Sequence, residues 1–386
     1  MDQKGIGKRV IVPIVAVAVV VMGICIYFLI SRPPVPTTGG WSSPVKICDY
    51  PTSGAWRDVA IDIDSAGTVH VVFVNGTDNS LYYSYSSDGV SWSGPRKISG
   101  SLSNVASPCL AIDSSDYCRV AFSSEGGLRY IAGRKDSWPS NIDQVPTNPN
   151  AYRNPSLDVG SDGLCHIVSA TDPAPDQEIY YIKGVPDNWA STRLLGTGTG
   201  TGYFDTGYTS VAVDRSGTAH IVYSLKSGSV IKIFYEKRLP SGWQEDQQEQ
   251  ISDDSTNYTC PWIDLDDSDR PRVIFSGGGD HGLDDLYYNY KDTSWLPSPQ
   301  KLTDNQGNNP CLRVDGSGSC HISYNSYGPT GHEIHYMSGH ASSWSSEVPL
   351  TSDGKGAYAS AIALDSNSKC HVVYHTVDGP YYTRQI

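Results

Sequence analysis

Helical periodicity is what this 386-residue chain lacks: outside the N-terminus no stretch repeats its apolar residues at three- and four-residue intervals. A helical or α/β core is thereby excluded. Basic side chains are scarce too, 28 Lys and Arg against 41 Asp and Glu, for a net charge of −13. Such a surface repels nucleic acid, which is not an expected partner. There is no Cys-x-x-Cys pair, and the acidic run 264–269 lacks the glycine and distal glutamate of a calcium loop, so no metal and no cofactor are expected. Long hydrophobic runs are confined to one, at residues 10–30.

What is present instead is a repeat. Tyr83, Tyr130, Tyr181, Tyr235, Tyr288 and Tyr336 precede Trp92, Trp138, Trp189, Trp243, Trp295 and Trp344 by seven to nine residues. Tyr382 meets the C-terminus without its tryptophan, and Trp41 stands at the other end without its tyrosine. Upstream of each tyrosine, a turn residue is followed six positions later by a His or Arg that opens an apolar run. The pairs are Asp64 and His70, Asp113 and Arg119, Gly160 and His166, Asp214 and His220, Asp266 and Arg272, Asp315 and His321, and Asp365 and His371. Successive His/Arg positions lie 47 to 54 residues apart, the range of blade-forming repeats.

Each unit holds four apolar runs of strand length bounded by Gly, Asp, Ser, Asn and Pro: one before the acidic turn, the His run, the tyrosine run, and one starting at the tryptophan. Seven such units predict an all-β, seven-bladed β-propeller. The segment from Trp41 to Ile47 matches that from Trp92 to Ile98 at Trp, Ser, Pro, Lys and Ile. It is therefore expected to supply the outer strand of the last blade beside Tyr381 and Tyr382, closing the ring from its own two ends.

Residues 10–30 carry no charge and are long enough, at about 1.5 Å per residue, to cross a bilayer core of ~30 Å. Lys4, Lys8 and Arg9 precede the run and Arg32 follows it, which predicts a cytoplasmic N-terminus (1–9), one transmembrane helix (10–30), a Pro/Gly linker (31–40) and an extracellular propeller (41–386) at the cell membrane. A cleaved leader is the rival reading, although no small-x-small cleavage site follows the run. Residues 1–32 hold four basic and one acidic side chain, leaving the remainder at −16. Of nine cysteines, Cys118, Cys165, Cys320 and Cys370 share one repeat position, immediately before the His or Arg. That recurrence reads as small buried core residues rather than bridges; Cys109 with Cys118, and Cys311 with Cys320, share a hairpin and could pair only in a favourable register.

The turn running from Asp64 through Gly67 to His70, the aromatic third strand and the segment from Ser86 to Trp92 together resemble the propeller repeats of the sialidase and BNR-repeat group over about residues 41–382. The segment 86–92 is a shortened form of that group's Asp-box. The resemblance implies a propeller fold. Sialidases of the group have six blades and an arginine triad; this chain has seven units and no Arg-Ile-Pro motif near its start, only Arg153, Asn154 and Pro155, so the resemblance implies a non-sialidase member.

A histidine repeated in five blades cannot converge on one site, so the recurring His and Asp are read as buried network and turn residues. The variable loops, between blades and between the second and third strands, hold the candidate ligand-binding residues: Trp56, Arg57, Tyr152, Arg153, Tyr203, Tyr208, Trp262, His281, His332 and Tyr358. Aromatic faces beside amides and arginines suit sugar rings, whose C–H faces stack while the hydroxyls take hydrogen bonds. The expected function is recognition of an extracellular glycan or a cell-surface protein. The alternative is a polysaccharide lyase or glycoside hydrolase, needing respectively a His or Tyr base beside an Arg, or two carboxyl groups about 5 to 10 Å apart.

Overall fold

The computed structural model of the chain describes residues 40–386 except 52, 55–56, 126, 147–150, 173–175, 195–197, 200–207, 244–247, 279–283, 305–306, 329–330 and 353. The run 10–30 lies outside these residues, and among the described residues no helix is long and apolar enough to cross a membrane.

Besides a two-stranded pair of Asp176–Gln177 with Gly198–Thr199, the described residues form seven antiparallel blade sheets that follow one another along the chain, each built in the order inner strand, His/Arg strand, tyrosine strand, outer strand. Blade 1 is Val59–Ile63, Val69–Asn75, Ser80–Ser86 and Arg96–Lys97. The first strands of successive blades touch one another in a closed ring, with Val59–Ile63 meeting Ala357–Leu364 of blade 7. This is a seven-bladed β-propeller.

Its second strands do not alternate. Every residue of Val69–Asn75 is buried, as is every residue of Cys370–Thr376, because both faces of each sheet are covered by neighbouring blades. Val72, Val74, Leu81 and Tyr83 of blade 1 thus share one core with Leu110, Val120 and Phe122 of blade 2. Each such large side chain contributes roughly 1.5 to 3 kcal/mol by leaving water.

Most fourth strands are shorter than their sequences predict, that of blade 3, Asn188–Arg193, being the exception. In blade 1 only Arg96–Lys97 pairs, and in blades 4 and 6 the outer strand is broken into two pieces, Gly242–Trp243 with Glu249–Gln250 and Ser343–Trp344 with Val348–Pro349. In blade 1, Pro95 offers no N–H to a ladder. The tryptophan is committed elsewhere, packing edge-on or tilted against the tyrosine of the preceding blade: Trp138 on Tyr83 at 4.7 Å between ring centres, Trp189 on Tyr130 at 5.1 Å, Trp295 on Tyr235 at 4.9 Å and Trp344 on Tyr288 at 5.0 Å.

The same contact closes the ring. Val45 and Lys46 pair with Tyr382 and Tyr381, Trp41 bridges Gln385, and Trp41 lies 4.9 Å from Tyr336 of blade 6. Trp92 of blade 1 lies 5.2 Å from Tyr382 of blade 7. In the shortened Asp-box, Asp88 accepts from the N–H groups of Val90 (2.8 Å) and Ser91 (2.7 Å). Gly89, at φ +71°, sits so close to Tyr382 that a Cβ there would meet its ring at 2.9 Å.

Behind most of these tyrosines runs a buried relay; in blade 3, where Gly160 replaces the aspartate, only the bond from Tyr181 to His166 Nδ1 remains. His70 bonds the Tyr83 hydroxyl at 2.7 Å through Nδ1 and faces Asp64 at 3.1 Å through Nε2. Asp64 in turn accepts the N–H groups of Ala66 (3.0 Å) and Thr68 (2.7 Å), which makes the turn. Arg119 replaces histidine between Asp113 and Tyr130 in blade 2, and Asp214, His220 and Tyr235 repeat the arrangement in blade 4. The cysteine of the next blade joins it: Cys118 lies 3.3 Å from His70 and Cys370 3.0 Å from His321. No disulfide joins any of the eight described cysteines, Cys109, Cys118, Cys311 and Cys320 among them. His371 and His375 are four residues apart on one strand but have separate partners, the Tyr382 hydroxyl and the Tyr50 carbonyl.

Candidate functional site at the channel mouth

The inner strands carry the site. Their edges face the central channel, where backbone N–H groups have no further strand to pair with. Side chains of the preceding blade satisfy several of them. Asp62 accepts from its own neighbour Ile63 (2.9 Å) and from Ile112 of blade 2 (2.8 Å); Asp158 from Val159 (2.8 Å) and Val213 of blade 4 (2.7 Å); Asp264 from Leu265 (2.9 Å) and Val314 of blade 6 (2.8 Å). Ser156 and Ser210 do the same one level higher, for Val211 and Ile263.

Two residues before each turn landmark the seven blades read Asp62, Ala111, Asp158, Ala212, Asp264, Arg313 and Ala363. Three carboxylates and one guanidinium therefore share a level of the channel. Burial raises the pKa of Asp62 and Asp264, with Arg313 the largest opposing influence. Burial likewise pushes Asp158 up to about 6, against its two N–H donors. Burial disfavours the Arg313 charge, but Asp264, Cys311, Asp62 and Asp158 outweigh it and raise its pKa. Sequence reasoning missed this ring. Its signal was available at the repeat position just before the turn, which was read only as strand.

Above the ring the inner strands kink. Pairing slips by one residue between Ala106 and Cys109, Arg153 and Ser156, Thr259 and Trp262, Asn308 and Cys311, and Ala357 and Ala359. Ser107, Asn154, Cys260 and Asn309, equivalent residues of four of these bulges, have φ of 47 to 50°, a region non-glycine residues seldom occupy. The bulges correct one expectation: Tyr152, Arg153, Trp262 and Tyr358 are not in loops but on the inner strands Ala151–Val159, Tyr258–Leu265 and Ala357–Leu364. The extra residue of a bulge breaks the two-residue alternation that marks a strand, so the strand ends looked like loop.

At this level the channel opens into a cavity of about 210 Å³ lined by Arg57, Trp262 and Arg313 among others, with the three aspartates at its base. Arg57, from the start of blade 1, reaches to blade 4, where Nη1 donates to the Thr209 carbonyl at 3.3 Å. Its guanidinium lies 4.9 Å from the Tyr208 ring and 5.5 Å from the Trp262 ring, and the Arg313 guanidinium lies 5.9 Å from the Trp262 ring. Among the described residues, no hydrogen-bond acceptor meets the buried Nη2 of Arg57. A donor in that state costs about 1 to 3 kcal/mol, which an incoming acceptor would recover.

Of the ten sequence-predicted residues, Arg57, Tyr208 and Trp262 are thus brought together. His332 and Tyr358 form a second group, ring centres 5.0 Å apart, with Tyr327, which the sequence reading left out. Trp56, Tyr203 and His281 lie outside the described residues, as do the side chains of Tyr152 and Arg153.

No protein-family model matches the chain, and no curated protein matches it. Solved structures do. An ulvan lyase of a new polysaccharide lyase family, bound to -[GlcA(1-4)Rha3S]-, superposes with a TM-score of 0.64 at 10% identity over 87% of this chain and 94% of its own. The BP39L lectin from Burkholderia pseudomallei gives 0.57 at 12% over 85% and 98%, and a protein of unknown function from Dyadobacter fermentans 0.55 at 11% over 90% and 100%. At such identities the likeness is one of fold: the chain is a propeller of the architecture these proteins share.

Proposed function

We propose that the chain is a membrane-tethered extracellular propeller that recognises carbohydrate at the mouth of its central channel. The observation that carries this reading is the meeting of Arg57, Tyr208 and Trp262 over a cavity, with a buried guanidinium N–H left for an acceptor. An indole face for a pyranose ring and donors for its hydroxyls are what a sugar requires. Propellers of this fold include a lectin and a lyase solved with a sugar polymer, which agrees with the reading. Membership of the sialidase and BNR-repeat group belongs to the same proposal and rests on the sequence resemblance.

A catalytic reading has one observation in its favour, the Asp158 carboxyl held near the pKa of a general acid. Against it, both oxygens of each channel aspartate are engaged by backbone N–H groups. A glycan array probed with the protein, followed by assay of the hits for new reducing or unsaturated sugar ends, decides between the two. Binding without products is expected; products would make the chain a hydrolase or lyase, and an empty array would point to a protein ligand.

The tether rests on residues 10–30 and the basic residues before them. Protease added to intact cells is expected to remove residues 41–386 and leave the anchor. Complete protection would reverse the orientation, and propeller free in the medium would indicate a cleaved leader.

A further inference from the structure

A second aromatic group begins beside the mouth and leads away from it. The second and third strands of blade 6, Cys320–Gly328 and Gly331–His340, form one of the longest hairpins of the ring and place Tyr327 opposite His332. Their ring centres are 4.3 Å apart, and His332 lies 5.0 Å from Tyr358, the extra residue in the inner-strand bulge of blade 7. The group is held from below. Asn325 donates to the carbonyls of Ala357 (3.0 Å) and Tyr358 (2.7 Å), tying the hairpin to the neighbouring blade.

Above this base Tyr327 stands 45% exposed, although large aromatic rings are among the side chains that folding most strongly withdraws from water. Burial lowers the pKa of His332, which favours its neutral ring. A chain of net charge −13 also disfavours an anionic polymer along its surface.

We propose that Tyr327, His332 and Tyr358 form a second carbohydrate subsite, stacking the ring of a neutral hexopyranose, so that the ligand is a neutral oligosaccharide running from the channel mouth onto the rim of blade 6. This rests on the proposed carbohydrate recognition at the mouth. Two linked contacts raise affinity multiplicatively, so chain length becomes the signature of the subsite.

The test measures calorimetric affinities of the full-length protein, and of Tyr327→Ala and Trp262→Ala, for cellohexaose, maltohexaose and laminarihexaose and for the corresponding disaccharides. The wild type is expected to bind one hexasaccharide at least about tenfold more tightly than its disaccharide. Tyr327→Ala should remove that advantage and, because Tyr327 is exposed, leave the melting temperature unchanged. Trp262→Ala should weaken both sugars. Wild-type hexasaccharide affinity in Tyr327→Ala overturns the subsite while leaving the mouth reading intact. Loss through Tyr327→Ala with none through Trp262→Ala upholds the rim subsite and overturns the mouth. Absence of binding to all six sugars overturns the neutral-glycan proposal.

Discussion

At the scale of single residues, the histidine that recurs on the second strand of the blades is structural. His220 is 1% exposed, bonds the Tyr235 hydroxyl at 2.9 Å and faces Asp214 at 3.4 Å. Burial, with nearby lysines, lowers the pKa of both His166 and His220 to about 4 from 6.5. Between pH 6.5 and 4 the unfolded chain takes up protons at these imidazoles and the folded chain does not. Their contribution to stability is therefore full above pH 6.5 and lost as the pH falls towards 4. Asp158 acts with the opposite sign: raised from 3.8 to about 6, it favours the fold in acid and loses that contribution as the pH rises through 6. The turn aspartates Asp64, Asp214, Asp315 and Asp365 are lowered against their burial by hydrogen bonds, and they lose their contribution below the ordinary carboxylate range. His220→Ala is expected to cost about 1 to 3 kcal/mol at pH 7 and to flatten the loss of stability between pH 6.5 and 4, measured by urea denaturation across that range. Unchanged stability together with abolished sugar binding would overturn the structural role.

At the scale of elements, the blade-to-blade contact is a tryptophan of one blade on the tyrosine of the blade before it, and Trp41 makes that contact from the far end of the chain. Trp41 is 4% exposed and reaches Tyr336, while the segment behind it holds the otherwise open edge of Gly379–Arg384. Trp41→Ala is expected to cost about 3 to 5 kcal/mol, the range for removing a large buried aromatic. Val90→Ala, at 64% exposure, should cost little. Equal denaturation midpoints for the two variants would contradict closure by this strand. The closure was legible because Trp41 to Ile47 repeats Trp92 to Ile98 position by position. The bulges were not, since an inserted residue erases the alternation that betrays a strand. Trp262 and Tyr358 were consequently picked out by residue type, but assigned to loops when they stand on inner strands.

At the scale of the whole molecule, seven similar blades place unlike residues around one mouth, and function follows from where the repeat is broken. The position that is Ala in three blades is Asp in three and Arg in one, and among the described residues only blade 5 lines the cavity above that ring with a tryptophan. A repeat read for its regularities gives the ring of blades; reading it for its exceptions gives the site. Tyr208 of blade 4 and Trp262 of blade 5 both lie against Arg57 of blade 1, a meeting that no local spacing encodes. The central claim is that this meeting point binds sugar, and the most direct measurement is the affinity of Trp262→Ala for the strongest array ligand, read beside its melting temperature. A loss of at least about tenfold in affinity is predicted, as removal of a stacking face worth ~1.4 kcal/mol or more would produce. Wild-type affinity in a folded Trp262→Ala protein would contradict the account.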